Sequence, residues 1–212
     1  MFLKKNRYNI LILGNGGREN AFAWSISQST RCAALFVAPG NAGTAQYAHN
    51  INISISNFEE IARFCLDNGV DLVLPGSEQP LVEGITNYFA THKELERISI
   101  IGPDQLGARL EGSKDFSKAI MRKYNIPTAE ARSFSAIEIE LANNYINTQS
   151  LPIVIKADGL AAGKGVIIAQ THQEAQQAIE NMLLGNQFGE SGHTVLIEQF
   201  LTCLLYTSDA AD

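Results

Sequence analysis

The chain is short of cysteine, histidine and basic residues and has no long apolar run, and each shortage closes off a class of function. Three cysteines, Cys32, Cys65 and Cys203, are too few and too widely spaced for a disulfide framework or a Cys-x-x-Cys metal site. Four histidines, at positions 49, 92, 172 and 193, show no metal-ligand spacing. No apolar stretch approaches the roughly 18 residues of a membrane span. Met1–Arg7 is basic but lacks the apolar core and small-residue cleavage site of a secretory signal. Sixteen Lys and Arg against 22 Asp and Glu leave a net charge of −6 and a pI near 5.2, the wrong sign for a general nucleic-acid or anionic-membrane binder. Apolar residues at 45% and charged residues at 18% argue against disorder. The expectation is an acidic α/β protein of a reducing compartment, the cytoplasm, with one large domain or two small ones.

What the chain does have is strands alternating with helices. Tyr8–Leu13, Ala34–Val37, Asp71–Leu74 and Ile98–Ile101 are short apolar runs closed by glycine or proline, as buried strands are. Between them Arg18–Ser29, Asn57–Asn68 and Leu81–His92 carry helical spacing, with Asn57 placed as an N-cap and Gly69 as the glycine past a C-cap. This order predicts a doubly wound parallel sheet with helices on both faces. The character changes at Gly102-Pro103. Helices are predicted at Gln105–Leu110, Lys114–Tyr124, Ala136–Asn147 and Gln173–Leu184, and strands at Ser133–Phe134, Pro152–Ala157, Val166–Ala169 and Thr194–Phe200. The expected division is 1–102 for a Rossmann-like substrate domain and 103–201 for a second, α+β domain.

Glycine-bearing loops follow the strands. Gly14-Asn15-Gly16-Gly17-Arg18-Glu19 joins the first strand to the first helix, where unpaired N–H groups and the positive end of the helix dipole favour an anion. A tight turn is the plain alternative. A dinucleotide fingerprint is a third reading, but its last glycine falls on Glu19 and the second strand ends in Ala38-Pro39-Gly40-Asn41 without the ribose-binding acid. A phosphate on a small substrate fits better. Asn41-Ala42-Gly43-Thr44 and Gly76-Ser77-Glu78-Gln79 leave the same sheet edge, where Glu78 can hold hydroxyls or an amine.

The second domain carries Lys156-Ala157-Asp158-Gly159-Leu160-Ala161-Ala162-Gly163-Lys164-Gly165-Val166. Its spacing is one residue short of a P-loop and it leads into a strand, so a loop between two antiparallel strands, folding over phosphates, is the better reading. Lys156 lies on an otherwise apolar strand and is costly to bury without an anion. Lys114, at the start of a helix behind Gly112 and Ser113, opposes the helix dipole, which weakens a structural reason for it. Leu196-Ile197-Glu198-Gln199-Phe200-Leu201 is a strand edge able to offer backbone groups to a purine.

In this order and spacing, Gly-Asn-Gly-Gly-Arg-Glu, Ala-Pro-Gly-Asn-Ala-Gly-Thr-Ala, Leu-Glu-Gly-Ser-Lys, Lys-Ala-Asp-Gly-Leu-Ala-Ala-Gly-Lys-Gly-Val and Ile-Glu-Gln-Phe-Leu resemble the phosphoribosylamine–glycine ligase family of ATP-grasp enzymes. The match runs from about Ile10 to Leu201, roughly the N-terminal half of such an enzyme. The resemblance implies an incomplete ATP-grasp domain after the parallel-sheet domain. It also implies a purine-biosynthetic reaction in which ATP phosphorylates glycine and 5-phosphoribosylamine attacks the glycyl phosphate. By resemblance, Gly14, Asn15, Gly16, Gly17, Arg18, Asn41, Gly43, Thr44 and Glu78 hold the amine substrate. Lys114, Lys156, Gly163, Lys164, Gly165, Glu198, Gln199 and Leu201 hold ATP. The Mg²⁺ (or Mn²⁺) ligands of the family lie in its other half, so no metal residue is expected in this stretch and the chain is expected to be inactive alone. Asn20 and Ser77 depart from the family's usual His and Pro, and residues 202–212 do not follow its pattern. Another ATP-grasp carboxylate–amine ligase and a non-catalytic nucleotide-binding module are the remaining alternatives.

Overall fold

A computed structural model describes residues 5–160, 165–185 and 193–202. The chain divides into two compact units between Arg109 and Leu110. In the first, the elements run β1 (Tyr8–Gly14), α1 (Gly17–Ser27), β2 (Cys32–Pro39), β3 (His49–Asn50), α2 (Phe58–Asp67), β4 (Leu72–Pro75), α3 (Gln79–Val82), α4 (Ile85–Thr91) and β5 (Ser99–Ile100), and the division falls within α5 (Gln105–Gly112). The five strands are all parallel, in the order β3-β2-β1-β4-β5.

The central strand explains the order. Leu11 and Leu13 point to one face and pack with Ile61, Cys65 and Phe89 of α2 and α4, while Ile12 points to the other and packs with Ala23 of α1. Apolar residues on both faces of one strand need helices on both sides, and parallel crossovers supply them. Cys65 is fully buried, and burial pushes its thiol up to about 12, so it packs and does not react.

Two differences from the expected elements have local causes. The Leu81–His92 helix is two helices, because Gly84 takes a left-handed conformation (φ +97°) between α3 and α4. A fifth strand, β3, is only the exposed pair His49–Asn50 and carries no apolar signal. The expected N-cap does form: Asn57 Oδ1 accepts from Glu60 N–H at 3.2 Å. Asn57→Ala should therefore lower stability by about 1 kcal/mol, read as a shift in the thermal midpoint of the first unit.

The second unit continues with α6 (Lys114–Lys123), β6 (Ala131–Ser135), α7 (Ile139–Ile146), β7 (Ile153–Ala157), β8 (Val166–Ala169), α8 (His172–Leu183) and β9 (Thr194–Gln199). Its sheet is antiparallel, ordered β6-β9-β7-β8. Alternation sorts the side chains. Ile153, Ile155, Ala157, Val195 and Ile197 join Phe134, Ile146, Ile179 and Met182 in one core. Val154, Lys156, Leu196 and Glu198 occupy the alternate positions of β7 and β9, so they face the other way.

Candidate functional site

In the first unit, three loops meet at the carboxyl edge of the sheet. Gly14 (φ +136°) turns the chain out of β1, and its carbonyl accepts from Gly40 N–H at 3.1 Å. Asn41 Nδ2 donates to the carbonyls of Asn15 and Gly16 at 2.9 and 3.1 Å, fastening the second loop to the first. Within the second loop, Asn41 Oδ1 accepts from the N–H groups of Gly43 and Thr44 at 2.7 and 3.0 Å. The Thr44 side chain is fully buried, with Oγ1 2.8 Å from Asn50 Oδ1. Arg18 reaches Glu78 of the third loop at 3.4 Å. The structure thus brings Gly14 to Arg18, Asn41, Gly43, Thr44 and Glu78 to one edge, with Thr44 committed inside its own loop.

Beneath these loops lies Glu19, a buried carboxylate whose structural part the sequence did not reveal. It is 3% exposed, accepts the Gly16 N–H through Oε2 at 2.5 Å, and has Arg18 Nε 3.7 Å from Oε1. One of the donors at the start of α1 is therefore already occupied by a carboxylate. Gly17, whose Cβ position has no neighbour within 4 Å, faces open space. The signal was present: an acid three residues into a helix that opens on glycines reaches back to the free backbone N–H groups there. Asn20 and Ser77, the two departures from the family pattern, each carry a buried side-chain oxygen without a hydrogen-bond partner among the described residues.

In the second unit, a cleft of about 230 Å³ is lined by Lys114, Lys118, Lys156 and Glu198, with apolar walls from Leu110, Met121 and Leu196. The start of α6 is built around Asp158. Its carboxylate accepts Lys114 N–H at 2.6 Å, Asp115 N–H at 3.1 Å and Ser113 Oγ–H at 3.0 Å, while Ser113 Oγ caps Phe116 N–H at 3.1 Å. This acid offsets the lysine's conflict with the helix dipole. Lys114 Nζ donates to Gly159 O at 2.8 Å, which gives it the structural partner the sequence did not show. Burial holds the Lys114 ammonium below the ordinary lysine range, with Asp158 pulling it back up and Lys156 adding to the depression.

The anion that Lys156 requires is supplied from within the protein: its Nζ lies 2.5 Å from Oε2 of Glu198. The other oxygen, Oε1, takes a hydrogen bond from Lys118 Nζ at 2.5 Å. Gln199 is exposed, its N–H spent on Glu130 O at 2.9 Å, and Leu201 is half-buried beyond the strand. Gly165 is buried and accepts Ala157 N–H at 2.8 Å, closing the β7–β8 hairpin. Gly163 and Lys164 lie outside the described residues. Among the described residues no group of three or more His, Cys, Asp or Glu is placed to hold a metal ion, and no helix is long and apolar enough to cross a membrane.

Two family models match in succession: phosphoribosylglycinamide synthetase, N domain, over residues 8–111, and the ATP-grasp (A) domain of the same synthetase over 112–206. The chain is 48% identical over 195 residues to phosphoribosylamine–glycine ligase of Haemophilus influenzae, and 46% identical over 194 residues to that of Escherichia coli O6:H1. Each alignment covers 91% of this chain and 44% of the relative, so the chain spans less than half the length of the curated relatives it matches. Among solved structures, phosphoribosylamine–glycine ligase of Thermotoga maritima superposes with a TM-score of 0.69 at 30% identity, covering 92% of this chain and 44% of that one. The carboxyaminoimidazole ribonucleotide synthase of Aspergillus clavatus, solved with ATP, superposes at 0.68 over 92% of this chain and 48% of its own; at 18% identity it shares the fold. Carrying the N domain and then the ATP-grasp domain in order, this chain belongs to the phosphoribosylglycinamide synthetase family, whose curated members are carbon–nitrogen ligases.

Proposed function

We propose that the chain supplies the amine-substrate domain and the first part of the ATP site of a cytoplasmic enzyme joining glycine to 5-phosphoribosylamine. The products are glycinamide ribonucleotide, ADP and phosphate, formed through a glycyl phosphate. The observation that carries the reading is the cleft of the second unit, where apolar walls from Leu110, Met121 and Leu196 adjoin the ammonium groups of Lys114 and Lys156. A purine with a phosphate tail needs that combination. Phosphoryl transfer asks for positioning and charge neutralisation more than covalent help, and the two lysines serve both.

On the family resemblance, Glu198, Gln199 and Leu201 belong to the purine end and Gly165 to the phosphate end, as do Gly163 and Lys164, which lie outside the described residues. In the first unit Gly14 to Arg18 receive the 5-phosphate through the donors that Glu19 leaves available. Asn41, Gly43 and Thr44 shape the neighbouring loop, and Glu78 holds ribose hydroxyls or the amine. The accompanying Mg²⁺ or Mn²⁺ belongs, on this reading, to residues outside the described ones.

Calorimetric titration of the 212-residue chain with ATP tests the nucleotide site, and titration with glycinamide ribonucleotide against aminoimidazole ribonucleotide tests the sugar-phosphate site. Expected are ATP binding that Lys156→Met weakens at least about tenfold and preference for glycinamide ribonucleotide. ATP binding unchanged by Lys156→Met, or preference for the imidazole nucleotide, overturns the reading. The pH dependence has a definite sign. Because the Lys114 pKa is lowered from 10.5, ATP affinity should fall as pH rises, starting at a lower pH than an ordinary lysine would give, and Lys114→Arg should move that fall upward. In folding the same shift works the other way. The unfolded chain holds the proton more tightly, so the penalty is present at neutral pH and fades as pH rises from the lowered pKa to 10.5.

A further inference from the structure

We infer that Lys118 is a positioning residue for anion binding at Lys156. It absorbs the charge of Glu198 so that the Lys156 ammonium remains available to a ligand. The inference rests on the reading of this cleft as a phosphate site, and it assigns a part to a residue that no local motif marks.

The two lysines that share Glu198 differ in how many of their donors are used. Lys118 is 8% exposed and all three of its ammonium protons have acceptors: Thr128 Oγ1 at 2.7 Å, Ala129 O at 2.7 Å and Glu198 Oε1 at 2.5 Å. An ammonium has three donors and no more, so Lys118 is saturated and cannot bind a ligand. Lys156 also touches the carboxylate, at 2.5 Å from Oε2, and its side chain is 25% exposed. Among the described residues Glu198 is its one side-chain partner, so two of its three donors remain for an acceptor entering the cleft.

Charge accounts for the arrangement. One buried carboxylate beside Lys156 alone would form a neutral pair with no attraction for phosphate. A second ammonium on the far oxygen makes the group net positive, and the positive end it leaves open is Lys156. Lys118 also fixes the carboxylate through Thr128 and Ala129, so Glu198 cannot swing to chelate Lys156 with both oxygens.

The test uses the 212-residue chain and two probes, inorganic tripolyphosphate and adenosine. Lys118→Met should weaken tripolyphosphate at least about tenfold, the cost of pairing the ligand's lysine with a carboxylate, and leave adenosine within about twofold. Lys118→Arg should retain tripolyphosphate binding. The double variant Lys118→Met/Glu198→Gln should regain it, because removing both charges returns Lys156 to a free ammonium. Equal loss of both probes, or no recovery in the double variant, marks a merely structural role and overturns the inference. Wild-type chain that binds no tripolyphosphate overturns the phosphate-site reading instead.

Trace acetylation followed by mass spectrometry then decides the inference without any ligand and without dependence on a variant's folding. In the wild-type chain Lys156 should be labelled at least about threefold faster than the saturated Lys118. Equal rates, or faster labelling of Lys118, overturn it.

Discussion

Glu198→Leu is expected to lower the stability of the second unit by about 3–5 kcal/mol, the cost of removing one member of a buried ionic group. Glu198 is 6% exposed and sits between the ammonium groups of Lys118 and Lys156. Without it, Lys118 keeps only the neutral oxygens of Thr128 and Ala129, and the two like charges face each other across an apolar strand position. Lys156 is a quarter exposed and can turn partly into water, which places the effect nearer the lower end of that range. The triple variant Lys118→Met/Lys156→Met/Glu198→Leu should regain most of the loss, because buried ionic groups replaced together by apolar residues of similar volume cost little. Urea unfolding followed by circular dichroism separates the cases. A Glu198→Leu midpoint equal to wild type would show that the carboxylate is hydrated and the group holds nothing together.

The same group marks how far the sequence can be read. The parallel sheet was legible because each central strand is an apolar run closed by glycine or proline, and only helices on both faces can cover such runs. β3 was not, because the exposed pair His49–Asn50 is a strand only by virtue of pairing with Phe36 and Val37. The glycine loops were legible as segments leaving the carboxyl edge of the sheet from residue type and position. Their supports were not. Lys118 and Glu198 are 80 positions apart and meet only once α6 has docked on the sheet. Lys156 was read as needing an anion, and the sequence could not say that Glu198 lies beside it. Asp158 reads as a loop residue until it is seen gathering the N–H groups of Lys114 and Asp115. In each case the missing information was a long-range electrostatic contact, which leaves no periodicity behind.

Glu19 is the corresponding support in the first unit, and Gly76→Ala is expected to expose it. A Cβ at position 76 would lie 2.1 Å from Glu19 Oε1 and 2.5 Å from its Cγ, well inside contact distance. Two other glycines crowd the same carboxylate: a Cβ at Gly14 would come within 2.7 Å of Glu19 Cδ, and one at Gly16 within 2.9 Å of Oε2. The side chain therefore fills space that three glycines from two loops leave open, and it has nowhere to retreat while 3% exposed. Moving it breaks the bond from Gly16 N–H and leaves a buried carboxylate without its donor, so Gly76→Ala should cost about 2–3 kcal/mol. Removing the carboxylate first changes the outcome. In the Glu19→Ala background the added methyl enters vacated space, and the two substitutions should couple by about 1–2 kcal/mol in the favourable direction. Chemical denaturation of the four proteins of the cycle measures this directly. Additive effects would mean that Gly76 and Glu19 act separately, and that the first and third loops of the sheet edge are not held by one buried acid.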